Sequence, residues 1–379
     1  MTGEQTAQAV FAFSPEQHEL RAVVRKFLLD RSPESEVRRL METEPGYDPS
    51  VWALLAENLG LPGLLIPERF GGAGSGFVEL QIVCEEMGRA LLCAPYFSSA
   101  VLATGALLEV ADEAADERYL PGLAAGTLRA TLAISEAGTE WAADRLDTVA
   151  VADGDRFRLT GEKLYVLDGA SADLLLVVAR TGSGPGLFAV EAGADGLRRT
   201  PMTTLDATRK QARIELADTP SVPVGVDGQA AAPIAAALSL AAAALAAEQA
   251  GGARRTLEMA VDYARVREQF GRPIGSYQAI KHKCADMLLE VESSVSVAYA
   301  AGWAVDTGSD EAPLLASMAK AYCSEAYYHC AAENIQVHGG IGFTWEHPAH
   351  LYFKRARSSQ ALLGSPRYHR ELLAGRLEL

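Results

Sequence analysis

Arg265, Arg267, Arg272 and Phe270 crowd into residues 265–278, which read Arg-Val-Arg-Glu-Gln-Phe-Gly-Arg-Pro-Ile-Gly-Ser-Tyr-Gln. Guanidinium forks match the oxygens of a diphosphate, and an aromatic face suits a flat ring. Gly271 and Pro273 cannot continue a helix, and Pro273 biases Arg272 away from helical geometry, so one amphipathic segment ends here and another begins. The corner is either a cofactor site or an ordinary turn whose arginines complement the helix dipole; the residues taken alone favour the turn. Around it, residues 251–283 hold Arg254, Arg255, Arg265, Arg267, Arg272, Lys281 and Lys283 against Glu258, Asp262 and Glu268. That local excess stands out in a chain whose formal net charge is -15. A general attraction to nucleic acid or an anionic membrane is not expected, but a local anion site is permitted.

Arg267-x-Gln269-Phe270-Gly271-x-Pro273-Ile274, followed by Gln278 and later by His338-Gly-Gly-Ile-Gly342, resembles the C-terminal domain of the acyl-CoA dehydrogenase family. The likeness spans nearly the whole chain, is most specific from Glu248 to His369, and is weakest in the middle. It implies FAD held between subunits and α,β-oxidation of an acyl-CoA thioester. That chemistry needs a carboxylate base, an oriented flavin ring and hydrogen bonds to the thioester oxygen. The resemblance assigns Arg267, Phe270, Gln278, Gln336, Gly339 and Gly340 to a clamp for the FAD diphosphate and adenine of a neighbouring subunit. The glycines admit close backbone approach to an anion, though an ordinary helix end would also use them.

The other family positions are altered. Where the family carries a flavin cradle, this chain reads Ile134-Ser-Glu-Ala-Gly-Thr-Glu-Trp141 and Tyr165-Val-Leu167. Ser135 keeps one hydroxyl. Glu140 adds charge and Trp141 bulk where glycine and serine are expected, and Leu167 replaces a ring-contacting threonine. The base positions hold Leu363 and, by the minority pattern, Ala241. Glu248 lies two turns beyond Ala241, roughly 10 Å along the axis, which makes it a weak candidate and more simply a partner for arginine. Glu346 is likewise expected to be structural.

The resemblance therefore implies a base-lacking subunit of an α2β2 acyl-CoA dehydrogenase, lending its clamp to a sister chain that supplies base and cradle. Two-chain members acting on steroid side chains make a bulky acyl-CoA the expected substrate, with electron-transfer flavoprotein as acceptor. A homotetrameric enzyme with a non-standard base and a non-redox scaffold are the alternatives.

The elements that position these residues fall in three blocks. Residues 1–128 read as helices: Ser14-Pro15-Glu16-Gln17 is a helix start, with Leu20, Val23, Val24, Phe27 and Leu28 at helical spacing. Further helices are expected near 51–59 and over 77–92. By the resemblance the Pro67-Glu-Arg-Phe-Gly-Gly72 turn and the helix carrying Glu85, Glu86 and Gly88 wall the acyl pocket. Residues 129–227 read as a small β-barrel or sandwich, with strands at 130–135, 148–152, 157–160, 174–179, 186–190 and 213–216 and a Pro/Gly/Asp linker over 220–228. Residues 228–379 read as a four-helix bundle. The class is α+β, mostly α.

The alanine-rich run 230–247 reads as a buried helix rather than a membrane span, and the start lacks a basic signal region, so a cytoplasmic chain is expected. Cys84, Cys93, Cys284, Cys323 and Cys330 read as small buried thiols, and no metal spacing is present.

Overall fold

The computed structural model describes residues 12–138, 141 and 145–377. Helix α1 (Pro15–Arg31) opens with a capping box: Gln17 N–H donates to Ser14 Oγ (3.2 Å) while Ser14 N–H donates to Gln17 Oε1 (2.9 Å). This satisfies two orphan donors of the first turn. Helices α2 (Glu34–Met41) and α3 (Pro49–Glu57) follow, then two short 3₁₀ turns, and α4 (Phe77–Ala90), which is buried along most of its length. A π-helical turn over Phe97–Ala103 leads into α5 (Thr104–Val110) and α6 (Glu113–Ala124).

The middle strands are β1 (Ala130–Ala133), β2 (Val149–Asp153), β3 (Arg156–Leu167), β4 (Leu174–Arg180), β5 (Pro185–Glu191), β6 (Leu197–Pro201) and β7 (Gln211–Val224). They form one sheet in the order β1-β4-β2-β3-β7-β5, with β6 on β7. A further β4–β5 pairing brings the path back on itself. The link from β2 to β4 is a single residue pair, Val149 with Arg180, so the sheet curls without forming an even wall.

The expected linker is mostly strand. β7 runs to Val224 through Pro220 and Pro223, pairing with β3 as far as Ser221 and with β5 from Val222 onward. The prolines flank the point where the ladder changes partner, which is where a missing N–H is tolerated.

Helices α7 (Ala231–Val266), α8 (Gln278–Asp306), α9 (Ala312–His338), α10 (Ala349–Ala361) and α11 (Pro366–Arg376) complete the chain. The two-residue strands β8 (Glu268–Gln269) and β9 (Arg272–Pro273) make a hairpin between α7 and α8. Among the described residues α7 alone is long and apolar enough to cross a bilayer. Its residues 241–250 are instead buried throughout, while Ala231, Ala232 and Ala235 in its first turns are exposed, and the helix packs against α4, α8 and α9.

α4 and α7 touch almost backbone to backbone. A Cβ on Gly88 would meet the Glu248 carbonyl oxygen at 2.0 Å, and one on Gly251 would meet that of Glu85 at 1.9 Å. This crossing fixes where Glu248 sits. Four cysteines are buried as expected, while Cys284 is half-exposed.

Candidate functional site

The hairpin between α7 and α8 and the turn after α9 share one end of the bundle, because Tyr263 near the end of α7 stacks on His338 at the end of α9 (4.3 Å). The hairpin is stiff. Ile274 N–H donates to the Arg267 carbonyl (2.7 Å), Tyr277 Oη donates to the Gln269 carbonyl (2.9 Å), and the Arg272 guanidinium lies over the Tyr277 ring (4.1 Å). Phe270 and Gly271 both take positive φ (53° and 76°), which swings the Phe270 ring outward until it is 92% exposed.

Arg267, Gln278, Gln336, Gly339 and Gly340 are exposed as well. All of the expected clamp residues therefore lie on the outside of the bundle tip, and no salt bridge engages Arg267 among the described residues. Gly339 needs glycine for its φ of 63°. At Gly340 neither φ nor crowding requires one, since nothing lies within 4 Å of an added Cβ. Open backbone of this kind beside an unengaged guanidinium fits the approach of an anionic group from outside the chain.

The interior is different. Between α4, the π-helical turn, β3 and α7 lies a chamber of about 30 Å³, lined by Cys84, Met87, Leu92, Tyr96, Phe97 and Leu167 on one side. Arg209, Glu248 and Arg355 line the other. A space of that size holds about one water molecule. Arg209 Nη2 donates to both oxygens of Glu248 (2.5 Å each), and Arg355 Nη1 donates to Glu248 Oε1 (3.2 Å). Arg355 also donates from Nε to Asp206 Oδ2 (2.7 Å) and from Nη2 to Thr208 Oγ1 (2.6 Å). Burial disfavours the Arg355 cation, but Asp206 and Glu248 outweigh it and its pKa moves up.

Glu248 is thus held by two arginines, the plainer of its two sequence readings. Beside the cluster, Ser98 Oγ donates to the Asp168 carboxylate (2.6 Å). Burial raises the Asp168 pKa to about 6 against the opposing pull of Ser98 and nearby Arg209.

Leu363 lines a second, open cleft of about 340 Å³ with Trp141, Leu238, Ala242 and His369. Ala241 is wholly buried beside it on α7. None of the described residues lining the cleft carries a carboxylate. The turn keeps unusual geometry, with Leu363 at φ 59° and Gly364 at 102°. Buried Lys320 donates to the Gly364 carbonyl (3.1 Å), and His369 Nε2 lies 2.9 Å from the Leu363 carbonyl oxygen. Burial lowers the Lys320 pKa to about 7.

Ser135 is buried, and its carbonyl accepts from Leu164 N–H (2.8 Å). Next to it, Lys163 Nζ donates to Glu136 Oε1 (2.5 Å), while Asp147 and Thr148 N–H donate to the same carboxylate. Burial opposes the Glu136 charge, but Lys163 and these donors hold its pKa below the usual range. The foundation of the expected cradle is therefore present beneath a surface that reads Leu167 and Trp141. Glu140 lies outside the described residues. A flavin ring does not fit the chamber of about 30 Å³ next to Leu167, Trp141 lines the larger cleft instead, and the exposed tip has the open backbone and guanidinium that suit a diphosphate.

Glu85 and Glu86 turn toward α1, where Arg21 Nη1 donates to Glu85 (2.8 Å) and Arg25 Nε donates to Glu86 (2.8 Å). The α4 residues facing the chamber are Cys84 and Met87. Val23, at helical spacing with the other apolar residues of α1, is 42% exposed. Glu346 is exposed, away from both cavities. Arg209, Arg355 and Lys163 were missed by sequence reading; of these only Lys163, at even spacing from buried Leu159 on the same face of β3, carried any local signal.

Residues 14–127 match the model of the acyl-CoA dehydrogenase N-terminal domain, and residues 232–378 match that of the C-terminal domain. The chain is 38% identical over 354 residues to the acyl-CoA dehydrogenase IpdE2 of Mycobacterium tuberculosis, covering 93% of this chain and 95% of that protein. It superposes on a variant of the Tcur3481-Tcur3483 steroid ACAD with a TM-score of 0.87 at 32% identity, covering 96% and 98% of the two chains. The ChsE4-ChsE5 complex from Mycobacterium tuberculosis gives a TM-score of 0.88 at 29% identity, covering 97% and 98%. With both terminal domain models matched and its sheet between them, the chain belongs to the acyl-CoA dehydrogenase family, oxidoreductases that act on the CH–CH bond of acyl-CoA thioesters.

Proposed function

We propose that this chain is the base-lacking subunit of an α2β2 acyl-CoA dehydrogenase, and that its clamp residues grip the diphosphate and adenine of an FAD whose ring lies on a sister chain. The observation that carries the reading is an asymmetry. Every clamp residue faces outward, while the cleft beside Leu363 holds no carboxylate among its described residues and the chamber beside Leu167 has room for about one water molecule.

FAD supplies the hydride acceptor. This chain's residues supply the grip: Arg267 as a guanidinium fork for the diphosphate, Gly339 and Gly340 as open backbone donors, Phe270 and Gln278 for the adenine, and Gln336 beside them. Proton removal from the substrate α-carbon belongs to a carboxylate on the sister chain, since Leu363 and Ala241 carry no titratable group and Glu248 is neutralised. Two of the relatives above carry names that describe a steroid ACAD and a two-protein complex, which supports a bulky, steroid-like acyl-CoA and a hetero-oligomer. Electron-transfer flavoprotein is the acceptor that suits such an enzyme, and the cytoplasm is where these partners would meet.

Arg267→Ala, co-expressed with the sister chain, is expected to lower the flavin content of the purified complex severalfold, because one charge-assisted pair contributes about 1.5–3 kcal/mol. Unchanged flavin content sinks the assignment.

A further inference from the structure

Residues 202–210, between β6 and β7, carry Thr208 and Arg209 to the wall of the chamber, with Asp206 bonded to Arg355 and Thr208 beside them, and tie the sheet to α2 and α7. Arg209 lies 5.3 Å from the centroid of the Phe97 ring and is bonded to Glu248 on α7; Lys210 Nζ donates to the Met41 carbonyl (2.6 Å). We propose that this segment is an exclusion strap: Arg209, clamped on Glu248, occupies the chamber and bars a flat or apolar ligand from it. The inference deepens the function proposed above by naming the residues that keep this chain's own interior empty of a ring.

The argument is electrostatic and steric together. The facing wall is Cys84, Met87, Leu92, Tyr96, Phe97 and Leu167, a lining fit for an apolar or aromatic guest. A lone guanidinium there would be expelled, since an unpaired buried charge is strongly disfavoured. Arg209 stays because Glu248 neutralises it, and Glu248 stays because Arg209 and Arg355 neutralise it. The cluster contains two charge-balanced pairs, Arg209 with Glu248 and Arg355 with Asp206. Removing Arg209 alone leaves Glu248 and Asp206 sharing Arg355. Removing Arg209 and Glu248 together leaves a balanced pair and a vacated chamber, so the two losses are strongly non-additive.

Cys84 reports on the chamber directly. It lines the wall, is 2% exposed, and burial pushes its thiol pKa up. The test uses the full chain with N-phenylmaleimide, a flat aromatic thiol reagent, and peptide mass spectrometry. In the unaltered chain Cys84 is expected to label about 100-fold or more slower than half-exposed Cys284, as for a thiol reached only by local opening. In R209A/E248A, Cys84 is expected to approach the Cys284 rate to within about tenfold while Cys323 and Cys330, buried in the bundle, stay protected. Rapid Cys84 labelling of the unaltered chain overturns the proposal, as does a double variant that keeps Cys84 protected. If all buried cysteines label together, the variant has unfolded globally; R209A/E248Q, which keeps the volume at 248 and vacates only the space of the Arg209 side chain, then decides, and its Cys84 must label faster than in the unaltered chain. Flavin retention by the clamp does not enter this readout, so failure here leaves the clamp assignment standing.

Discussion

Asp168 carries a cost that the rest of the cluster tolerates. Its carboxyl group is enclosed although the residue keeps some contact with the surface, and its pKa rises from 3.8 to about 6. Above pH 6 the group is ionised in both folded and unfolded chains, so the full penalty for a buried charge is felt; below 3.8 it is protonated in both and the penalty vanishes. Asp168→Asn should therefore stabilise the chain by about 3 kcal/mol at pH 7. Asparagine retains a partner for Ser98 and tolerates the φ of 50°. The advantage should shrink as pH falls from about 6 toward about 4, measured as the difference in urea midpoints; an advantage independent of pH rules this explanation out. That Leu167, Ala241 and Leu363 carry no polar or titratable side chain was legible in the sequence, because absence of a functional group is a local property. The pairing of Glu248 was not, since its partners lie 39 and 107 residues away in sequence.

At the scale of elements, the helices announced themselves through caps and periodicity, and α1 begins at the Ser14-Pro15 signal as expected. β6 escaped because Leu197-Arg-Arg-Thr-Pro201 is short, polar and half-exposed, and it gains strand character only from β7 beside it. The prolines of 220–228 suggested a linker because a sequence cannot show that a strand is changing neighbours. The Gly88–Gly251 crossing makes a sharper demand. Gly251→Ala should destabilise the chain by about 2–3 kcal/mol, since the new Cβ meets the Glu85 carbonyl and one helix must move. Gly340→Ala should leave stability within about 0.5 kcal/mol, having open space, yet weaken flavin retention in the complex. Thermal unfolding of the two variants separates a packing glycine from one kept free for a ligand; equal losses of stability would remove the distinction.

For the whole molecule, the fold class was readable because helical and strand periodicities change over near residues 130 and 230. The ion-paired interior was not, because it is assembled from residues 202–210, α7 and α10. On the function proposed above, the outward-facing residues grip a nucleotide and a second polypeptide supplies the redox site. The direct measurement is the flavin content of this chain purified alone, saturated with FAD and desalted, before and after addition of an acyl-CoA. The account predicts almost no retained flavin and no bleaching. Retention near one FAD per chain, reduced on adding the thioester, would contradict it.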